Sequence, residues 1–463
     1  MKVIFLFMIC FLLLCNCTLG PEFQKPQLYS QEKIQKALDL KPTGQNNYLS
    51  YQIFKDKTLN KLIKMAFEES LTVRQAISRI KQSRLQLSIA NVQGLPVFDI
   101  KGSYQYTKES KNIGYVFDED IYQIGLDASW ELDIFGSARK NAEAQAANVM
   151  QTIENLNNVY VSLSAEIALN YIAFRQTQEQ IKIVHNQVLL NQKILKENKM
   201  LLSSGLATSD VVNQALINLN KYKSDLSTLN NNLLQYKIKL SFLVGKLPDG
   251  LDTILSENND NLITRSVSFN EKELFNLPST IIEERPDIKA AEYALKAQNA
   301  KIGVAMANMF PKISLSGMLG FQALHIDKVF NLNSHAYSYE PMVSIPVFYF
   351  GQLKNKLEIE KEGYKEAFLN YENIFLNAAS EIKEALNNVA EAFKQYNFIH
   401  KQYQQAYNLY NKELERFKAG ITDKISLLSS ELNYLTMKRN LVNSNANIYT
   451  AVIAFFKSIG AIS

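Results

Sequence analysis

The chain has 463 residues and a formal net charge of +5, from 50 Lys and Arg residues against 45 Asp and Glu residues. Because acidic and basic residues are intermixed along the chain, no basic surface is indicated and we expect no nucleic-acid partner. The three cysteines are Cys10, Cys15 and Cys17, so the rest of the chain has no disulfide framework and no thiol chemistry.

The first residues have the pattern of an export signal. Lys2 precedes an apolar run over residues 3–14, which is too short to span a bilayer core of about 30 Å and has the proportions of a signal-peptide core. The run ends in LLLCNC, which resembles a bacterial lipobox, although Asn16 stands where a small residue is usual. We predict a lipoprotein signal peptide over residues 1–16 and lipidation of Cys17. An ordinary secretory signal is the alternative.

The remainder of the chain is a duplication in which position i of the first half corresponds to position i + 215 of the second. Glycine and proline mark places where a backbone turns, so their recurrence shows that the two halves share one plan of elements. The matched pairs are Pro96 with Pro311, Gly102 with Gly317, Gly136 with Gly351, Gly205 with Gly420, and Gly245 with Gly460. We predict an extended N-terminal segment over residues 17–53, a first repeat over 54–245, a linker over 246–278 and a second repeat over 279–463.

Each repeat contains two segments that alternate apolar and polar residues, as the strands of a barrel wall do. We predict strands at about residues 97–108 and 121–131, and at about 312–323 and 337–347. A half-buried soluble hairpin alternates in the same way, but the export signal and the tyrosine-rich apolar faces favour a membrane barrel. The smallest such barrels have about eight strands, so several copies must contribute, and three copies would give about twelve.

Long helices follow the strands in each repeat. We predict them at about residues 137–204 and 206–245, and at about 352–419 and 421–459. Between Gly136 and Gly205 neither Gly nor Pro occurs, and one helix over that stretch would be about 100 Å long. Apolar residues recur by sevens, as in Ile167, Phe174, Ile181, Val188 and Leu195, and again in Val212, Leu219, Leu226, Leu233 and Leu240. This spacing is that of a coiled-coil seam. Two positions of each heptad form the seam, and the second repeat has smaller residues at one of them. The two helical hairpins therefore need not pack identically.

Several strings resemble the TolC-like outer-membrane efflux factors, in the lipoprotein branch that serves RND-type pumps. They are WELDIFGSAR at residues 130–139, the run 283–317 that begins EERPDIKAAEY, the run 54–84, SGLATSDVVNQA at 204–215 and FKAGITDKISLL at 417–428. They occur in the family's order and cover essentially the whole mature chain. One departure is Tyr51, which stands where a tryptophan is common in the family.

The resemblance implies a mainly α fold with a transmembrane β part. Three protomers would each give four strands to a twelve-stranded outer-membrane barrel and long coiled-coil helices to a periplasmic α-barrel. The implied function is passive: an exit duct that receives drugs or other small toxic compounds from a periplasmic adaptor (a membrane fusion protein) and an RND-type inner-membrane transporter. The implied partners are two further copies, the adaptor, the transporter and outer-membrane lipid. We expect no catalytic site, cofactor or bound metal. Ducts for metal-ion efflux and for type I protein secretion share this architecture and remain alternatives.

Two groups of residues are candidates for function. At the passage from strand to long helix, Gly136 and Gly351 would permit a tight bend, and Trp130 would lie at the membrane interface with its N–H in water, or in the core.

By the resemblance, the turns of the helical hairpins form the periplasmic tip. Gly205, Leu206, Gly420 and Ile421 would meet the adaptor, and Asp423, Thr422, Asp210 and Phe417 would belong to the gate. Three Asp423 carboxylates in a ring would repel one another. The alternative is that Asp423 only caps the following helix, as Ser209 is expected to do in the first repeat.

Overall fold

A computed structural model describes residues 18–38, 50–110, 112, 118–256, 261–265 and 278–462. The predicted signal peptide and Cys17 lie outside these residues. The chain divides into two compact units. The strand unit comprises the described parts of residues 1–26, 79–153 and 290–372, and the helical unit comprises those of residues 27–78, 154–289 and 373–463. No helix in the described part of the chain is both long and apolar enough to cross a membrane.

The elements follow the duplicated plan. In chain order they are α1 (Gln31–Leu38), α2 (Lys57–Glu69), α3 (Leu71–Val92), β1 (Val97–Lys108), β2 (Asp118–Leu132), α4 (Ser137–Ser203), α5 (Ser209–Val244), α6 (Asp252–Ser256), α7 (Pro286–Ala307), β3 (Lys312–Ala323), β4 (His335–Ser344), α8 (Gln352–Lys418) and α9 (Lys424–Ser458). Short 3-10 helices lie at Tyr51–Phe54, Leu262–Thr264, Ser279–Ile282, Ile326–Lys328 and Leu332–Ser334.

The strand unit contains one antiparallel sheet in the order β1-β2-β3-β4. In the register, Gly102 lies opposite Ile124, Ala128 opposite Gly317, and Gly317 opposite Tyr339. Among the described residues, β1 and β4 each have one edge without a partner strand. Apolar side chains such as Ile100 on the edge strand β1 are exposed. The sheet is therefore open at both sides in a single chain.

Two strands differ in extent from the sequence prediction. β2 begins three residues earlier than expected, at Asp118, and β4 covers His335–Ser344 instead of about 337–347. Pro346 has no N–H to donate to a ladder, which accounts for the end of β4 before it. Pro341 remains inside β4, opposite Leu315, and this strand lies at the edge of the sheet, where proline is tolerated.

The two strand-to-helix junctions share a left-handed glycine but differ in the backbone of the residue before it and in their side chains. Gly136 and Gly351 have φ of 83° and 80°, which L-residues rarely adopt. In the first junction, Asp133 accepts hydrogen bonds from the backbone N–H groups of Ala138 and Arg139 at 2.9 and 3.0 Å, and so caps α4. The second junction has Phe350, with φ of 47°, before its glycine. The half-buried Trp130 donates its ring N–H to the Gly94 carbonyl at 2.8 Å, and its place at the membrane interface or in the core stays a prediction.

The N-terminal segment and the linker contain regular structure where the sequence indicated none. α1 lies within the segment predicted to be extended, with Ile34 and Leu38 buried. α6 and the 3-10 helix Leu262–Thr264 lie within the predicted linker. These elements are short, so their hydrophobic pattern is too brief to distinguish from a loop with a few apolar anchors.

The coiled-coil seam of α4 and α5 is aliphatic near the turn that joins them. Val188 and Leu195 of α4 are buried against Ala215 and Leu219 of α5, with Val212, Tyr222 and Leu226 at the margin. The residues that recur by sevens in the sequence include Val188, Leu195, Val212, Leu219 and Leu226, so the predicted seam is confirmed in this part of the hairpin.

The seam of α8 and α9 is built from tyrosines. The Tyr434 ring lies 5.7 Å from Tyr403, 5.4 Å from Tyr407 and 5.7 Å from Tyr410, centroid to centroid. The counterparts of these residues in the first repeat are Leu219, Val188, Gln192 and Leu195. Tyr434 is only half-buried, whereas Leu219 is buried. The two hairpins therefore share a plan and differ in packing.

Candidate functional site

The two hairpin turns of the helical unit have identical hydrogen bonding. At the end of α4, the N–H of Leu206 donates to the Leu201 carbonyl at 2.8 Å, and that of Gly205 donates to Leu202 at 3.0 Å. At the end of α8, Ile421 donates to Arg416 at 2.9 Å and Gly420 donates to Phe417 at 3.0 Å. Each pair is the Schellman arrangement, which ends a helix on a left-handed residue and satisfies its last carbonyls.

Glycine is required at these turns by the backbone and not by space. Gly205 and Gly420 have φ of 73° and 72°, and a Cβ added at either would meet nothing within 4 Å. The residue after each glycine is apolar and exposed: Leu206 is 75% exposed and Ile421 is 67% exposed. Each hairpin therefore presents a large exposed aliphatic side chain directly after its turn glycine.

The structure places Asp423 as the cap of α9. Its carboxylate accepts hydrogen bonds from the Ser426 N–H at 2.9 Å and the Ser426 hydroxyl at 2.6 Å. These hydrogen bonds hold the pKa of Asp423 below its ordinary value of 3.8. The capping role is thus present, and a role at a gate would be additional to it.

The first turn lacks an equivalent cap. The residue at the N-cap of α5 is Thr208, and its side chain makes no capping hydrogen bond. The expectation that Ser209 is the cap is therefore wrong, because Ser209 is already the first residue of α5. The register of the duplication pairs Thr208, and not Asp210, with Asp423. Asp210 lies in the first turn of α5, where a negative charge suits the helix dipole.

We predict opposite effects from changing the two caps. Asp423→Ala is expected to lower the free energy of unfolding by about 0.5–2 kcal/mol, and Thr208→Asp to raise it by up to about 1 kcal/mol, because only Asp423 satisfies an N–H of its helix end now. Denaturant unfolding followed by helical circular dichroism measures both. Because the folded pKa of Asp423 is depressed, its contribution is complete above pH 3.8 and is lost as the pH falls through the lower folded value. Equal stability of Asp423→Ala and wild type would contradict the assignment.

Three charged or polar contacts, two at the second turn and one farther along α9, were not apparent in the sequence. The Lys424 ammonium at the start of α9 pairs with Glu197 of α4. The Thr422 hydroxyl donates to Glu413 of α8, and Arg439 of α9 donates to Asp225 of α5 at 3.1 Å. The first and third of these contacts join different repeats, so no spacing in the sequence signals them, and their pairing depends on how the hairpins are packed.

The remaining predicted tip residue, Phe417, lies in the last turn of α8 and is exposed. The turns thus combine exposed apolar side chains with a charge pair between helices at the second turn. Across the described residues, no group of three or more His, Cys, Asp and Glu side chains is arranged to hold a metal ion. The exposed apolar side chains suit contact with a protein surface, and the charge pair holds two helices together. Salt and pH are expected to change the strength of this pair.

Comparison with known proteins identifies the family. The sequence profile described as "Outer membrane efflux protein" matches residues 62–246 and 277–461. The two matched ranges are offset by 215 residues at both ends, as the glycine pairs are, which confirms the duplication. The cation efflux system protein CusC of Escherichia coli (strain K12) is 27% identical over 367 residues, covering 78% of both chains. The toluene efflux pump outer membrane protein TtgI of Pseudomonas putida is 24% identical over 463 residues, covering 98% of this chain and 97% of that protein.

The fold agrees with these relatives. The solved structure of the outer-membrane channel OprN superposes with a TM-score of 0.84 at 25% identity, covering 96% of this chain and 99% of that chain. The predicted TolC-like fold is therefore confirmed. The chain belongs to the outer membrane efflux protein family.

Proposed function

We propose that this chain is the exit duct of a tripartite efflux system and that it works as a homotrimer. The observation that carries the proposal is the four-stranded sheet whose β1 and β4 edges have no partner among the described residues. Unpaired strand edges cannot be left in lipid, so the β1 edge of one copy would pair with the β4 edge of the next. Three copies would close a barrel of about twelve strands, within the range of outer-membrane barrels.

Migration in detergent tests the trimer. A closed barrel resists detergent until it is heated, so unboiled protein should migrate as a compact trimer and boiled protein as a monomer. A Pro substitution at Ser103, in the middle of the β1 edge strand, removes a ladder donor and should abolish the shift. Identical migration with and without boiling would contradict the trimeric barrel.

The tip turns are the surface we propose for the periplasmic adaptor. Leu206 and Ile421 are large, aliphatic and exposed at equivalent places in the two repeats, and a protein contact would remove them from water. An RND-type transporter would supply the energy for transport, because the described residues of the turns contain no group that could drive it. The double variant Leu206→Glu, Ile421→Glu should no longer copurify with the adaptor. The control is Leu247→Glu, which changes an exposed leucine away from the turns and should leave copurification unchanged.

We propose that Asp423 takes part in a gate at the second turn, together with Thr422 and the Lys424–Glu197 pair. Single-channel conductance in planar bilayers separates this role from capping. Asn is as good a cap as Asp but has no charge, so Asp423→Asn should change conductance as much as Asp423→Ala does. If Asp423→Asn conducts like wild type, the carboxylate charge has no part in the gate. Conduction by the purified wild type without an energy source is expected for a passive duct.

The relatives of this chain differ in the compound that their names say they export. We propose drugs or other small toxic compounds, which is supported by the similarity to TtgI, a toluene efflux protein by name. CusC is a cation efflux protein by name, so metal-ion efflux is the second candidate. Type I protein secretion is a third. In a strain lacking the chain, growth inhibition by solvents, growth inhibition by metal salts and the profile of secreted proteins would separate the three.

We further propose that Cys17 carries a lipid anchor in the outer membrane. A Cys17→Ser variant should lose incorporation of labelled palmitate. Retention of the label in that variant would exclude Cys17 as the acylated residue.

A further inference from the structure

The residues that follow Cys17 are bound tightly to the strand unit. The N–H of Leu19 donates to the Phe135 carbonyl at 3.2 Å. The Asn299 side chain of α7 donates to the Pro21 carbonyl at 3.0 Å. Lys25 pairs with Glu292 of α7 at 2.9 Å. The segment Thr18–Lys25, here called the strap, therefore contacts both the junction between β2 and α4 and the length of α7.

Two glycines allow the strap to cross α7 in direct backbone contact. A Cβ added to Gly20 would lie 2.5 Å from the Cα of Gly303, and Gly20 has φ of 114°. A Cβ added to Gly303 would lie 2.9 Å from the Leu19 carbonyl oxygen and 2.9 Å from Cγ of Lys140. No side chain fits at either position unless the backbone moves. Gly303 lies inside a helix, where glycine is otherwise unfavourable, so the crossing accounts for it.

The strap covers only one of the two duplicated junctions. A Cβ on Gly136 would meet Cγ2 of Thr18 at 2.8 Å, whereas a Cβ on Gly351 would meet no described residue within 4 Å. The first helical hydrogen bonds are alike, from Lys140 to Gly136 at 2.8 Å and from Asn355 to Gly351 at 2.9 Å. The first backbone hydrogen bonds therefore do not distinguish the junctions, whereas the strap and the Asp133 cap are found at the first junction.

We propose that the strap is a lock that braces the first strand-to-helix junction against α7 and leaves the second junction free to bend. The duplicated halves are thereby made mechanically unequal, with the helices of the second repeat attached through the freer hinge. The lock is a property of the chain's own backbone contacts, independent of any lipid at Cys17. This inference does not depend on which compound the duct carries.

Gly303→Ala tests the lock, because the two physical effects of the change have opposite signs. Helix propensity alone would make the variant more rigid, but the added methyl displaces the strap. Hydrogen exchange of the full chain in detergent should become about tenfold faster over residues 134–140 and stay unchanged over residues 349–355. The matched control is Gly363→Ala, also in a helix of the strand unit, whose Cβ meets only the flexible Gln298 side chain, with its nitrogen at 2.6 Å. It should leave exchange over residues 134–140 as in wild type.

Two further variants keep the test decisive. Asn299→Ala removes a strap contact without adding bulk and should also speed exchange over residues 134–140, while the amides paired between β2 and β3 stay protected. Cys17→Ser should exchange like wild type. Wild-type exchange in Gly303→Ala would overturn the proposal, as would fast exchange in Cys17→Ser, which would assign the bracing to the lipid.

Discussion

Replacing Asp56 by alanine is expected to lower the free energy of unfolding of the helical unit by about 3–5 kcal/mol, because it removes one charge from a buried polar network. Asp56 is 3% exposed. Its carboxylate accepts from the Leu59 N–H at 2.9 Å, which caps α2, and from the Tyr171 hydroxyl at 2.9 Å. That hydroxyl accepts in turn from Nε of the buried Arg175 at 3.0 Å.

The loss of Asp56 thus affects three groups at once. The cap of α2 disappears, the Tyr171 hydroxyl loses its acceptor, and the Arg175 guanidinium loses the nearby negative charge. Burial, followed by the Asp56 charge, raises the pKa of Tyr171, so this hydroxyl stays protonated and continues to need an acceptor. A buried group left without its partner costs about 1–3 kcal/mol.

Thermal and denaturant unfolding of the helical signal measure the effect. Tyr171→Phe removes the hydroxyl and keeps the ring, and should cost less than Asp56→Ala because the cap and the buried carboxylate remain. Asp56→Asn keeps a capping oxygen and should fall between wild type and Asp56→Ala. A change of under about 1 kcal/mol in Asp56→Ala would show that the network is not a stabilising unit.

Arg285→Ala is expected to have an effect of similar size, about 3–5 kcal/mol. The Arg285 side chain is 8% exposed and contacts Asp287 at 2.7 Å and Glu381 of α8 at 2.8 Å. Its third contact is a hydrogen bond to the Ser458 carbonyl at the end of α9. One guanidinium therefore connects the residues at the start of α7 with both helices of the second hairpin.

Matched variants separate the bridge from a simple charge pair. A lysine in place of Arg285 would present one ammonium instead of a planar fork and cannot reproduce all three contacts, so Arg285→Lys should recover only part of the stability. Glu381→Gln removes a charge from a side chain that is 57% exposed, and should cost about 1 kcal/mol or less. If Arg285→Ala unfolds like Glu381→Gln, Arg285 is no more than a surface ion-pair partner.

The elements could be predicted because their signals are local. Alternation over a dozen residues places β1 and β3, and recurrence by sevens places the seam of α4 and α5. Both patterns mark one apolar face of one element. β4 is the exception, because alternation runs on past Ser344, and the missing donor of Pro346 decides where pairing ends.

The candidate site was less predictable because its contacts join distant parts of the chain. The turns could be located from Gly205 and Gly420, since a left-handed backbone needs glycine whatever surrounds it. The Lys424–Glu197 pair could not be predicted. Lysines and glutamates occur along the whole length of these charged helices, and the sequence does not show which of them meet. The cap position at Thr208 was missed for a different reason. The register of the duplication identifies it, but the next residue, Ser209, is also of a type that commonly caps helices.

The strap shows the same limit. Gly20 and Gly303 are separated by most of the chain, and each alone resembles an ordinary loop or helix glycine. Only the folded backbone shows that the two residues touch.

Accumulation of an amphiphilic dye inside cells tests the proposed efflux duct most directly. The host should lack this chain and its other outer-membrane ducts, and should be compared with the same cells complemented by the full chain. We predict higher dye accumulation without the chain and low accumulation when the full chain is restored. The Leu206→Glu, Ile421→Glu variant should fail to restore low accumulation. Equal accumulation with and without the chain, when it is present in the outer membrane, would contradict a duct for small amphiphilic compounds.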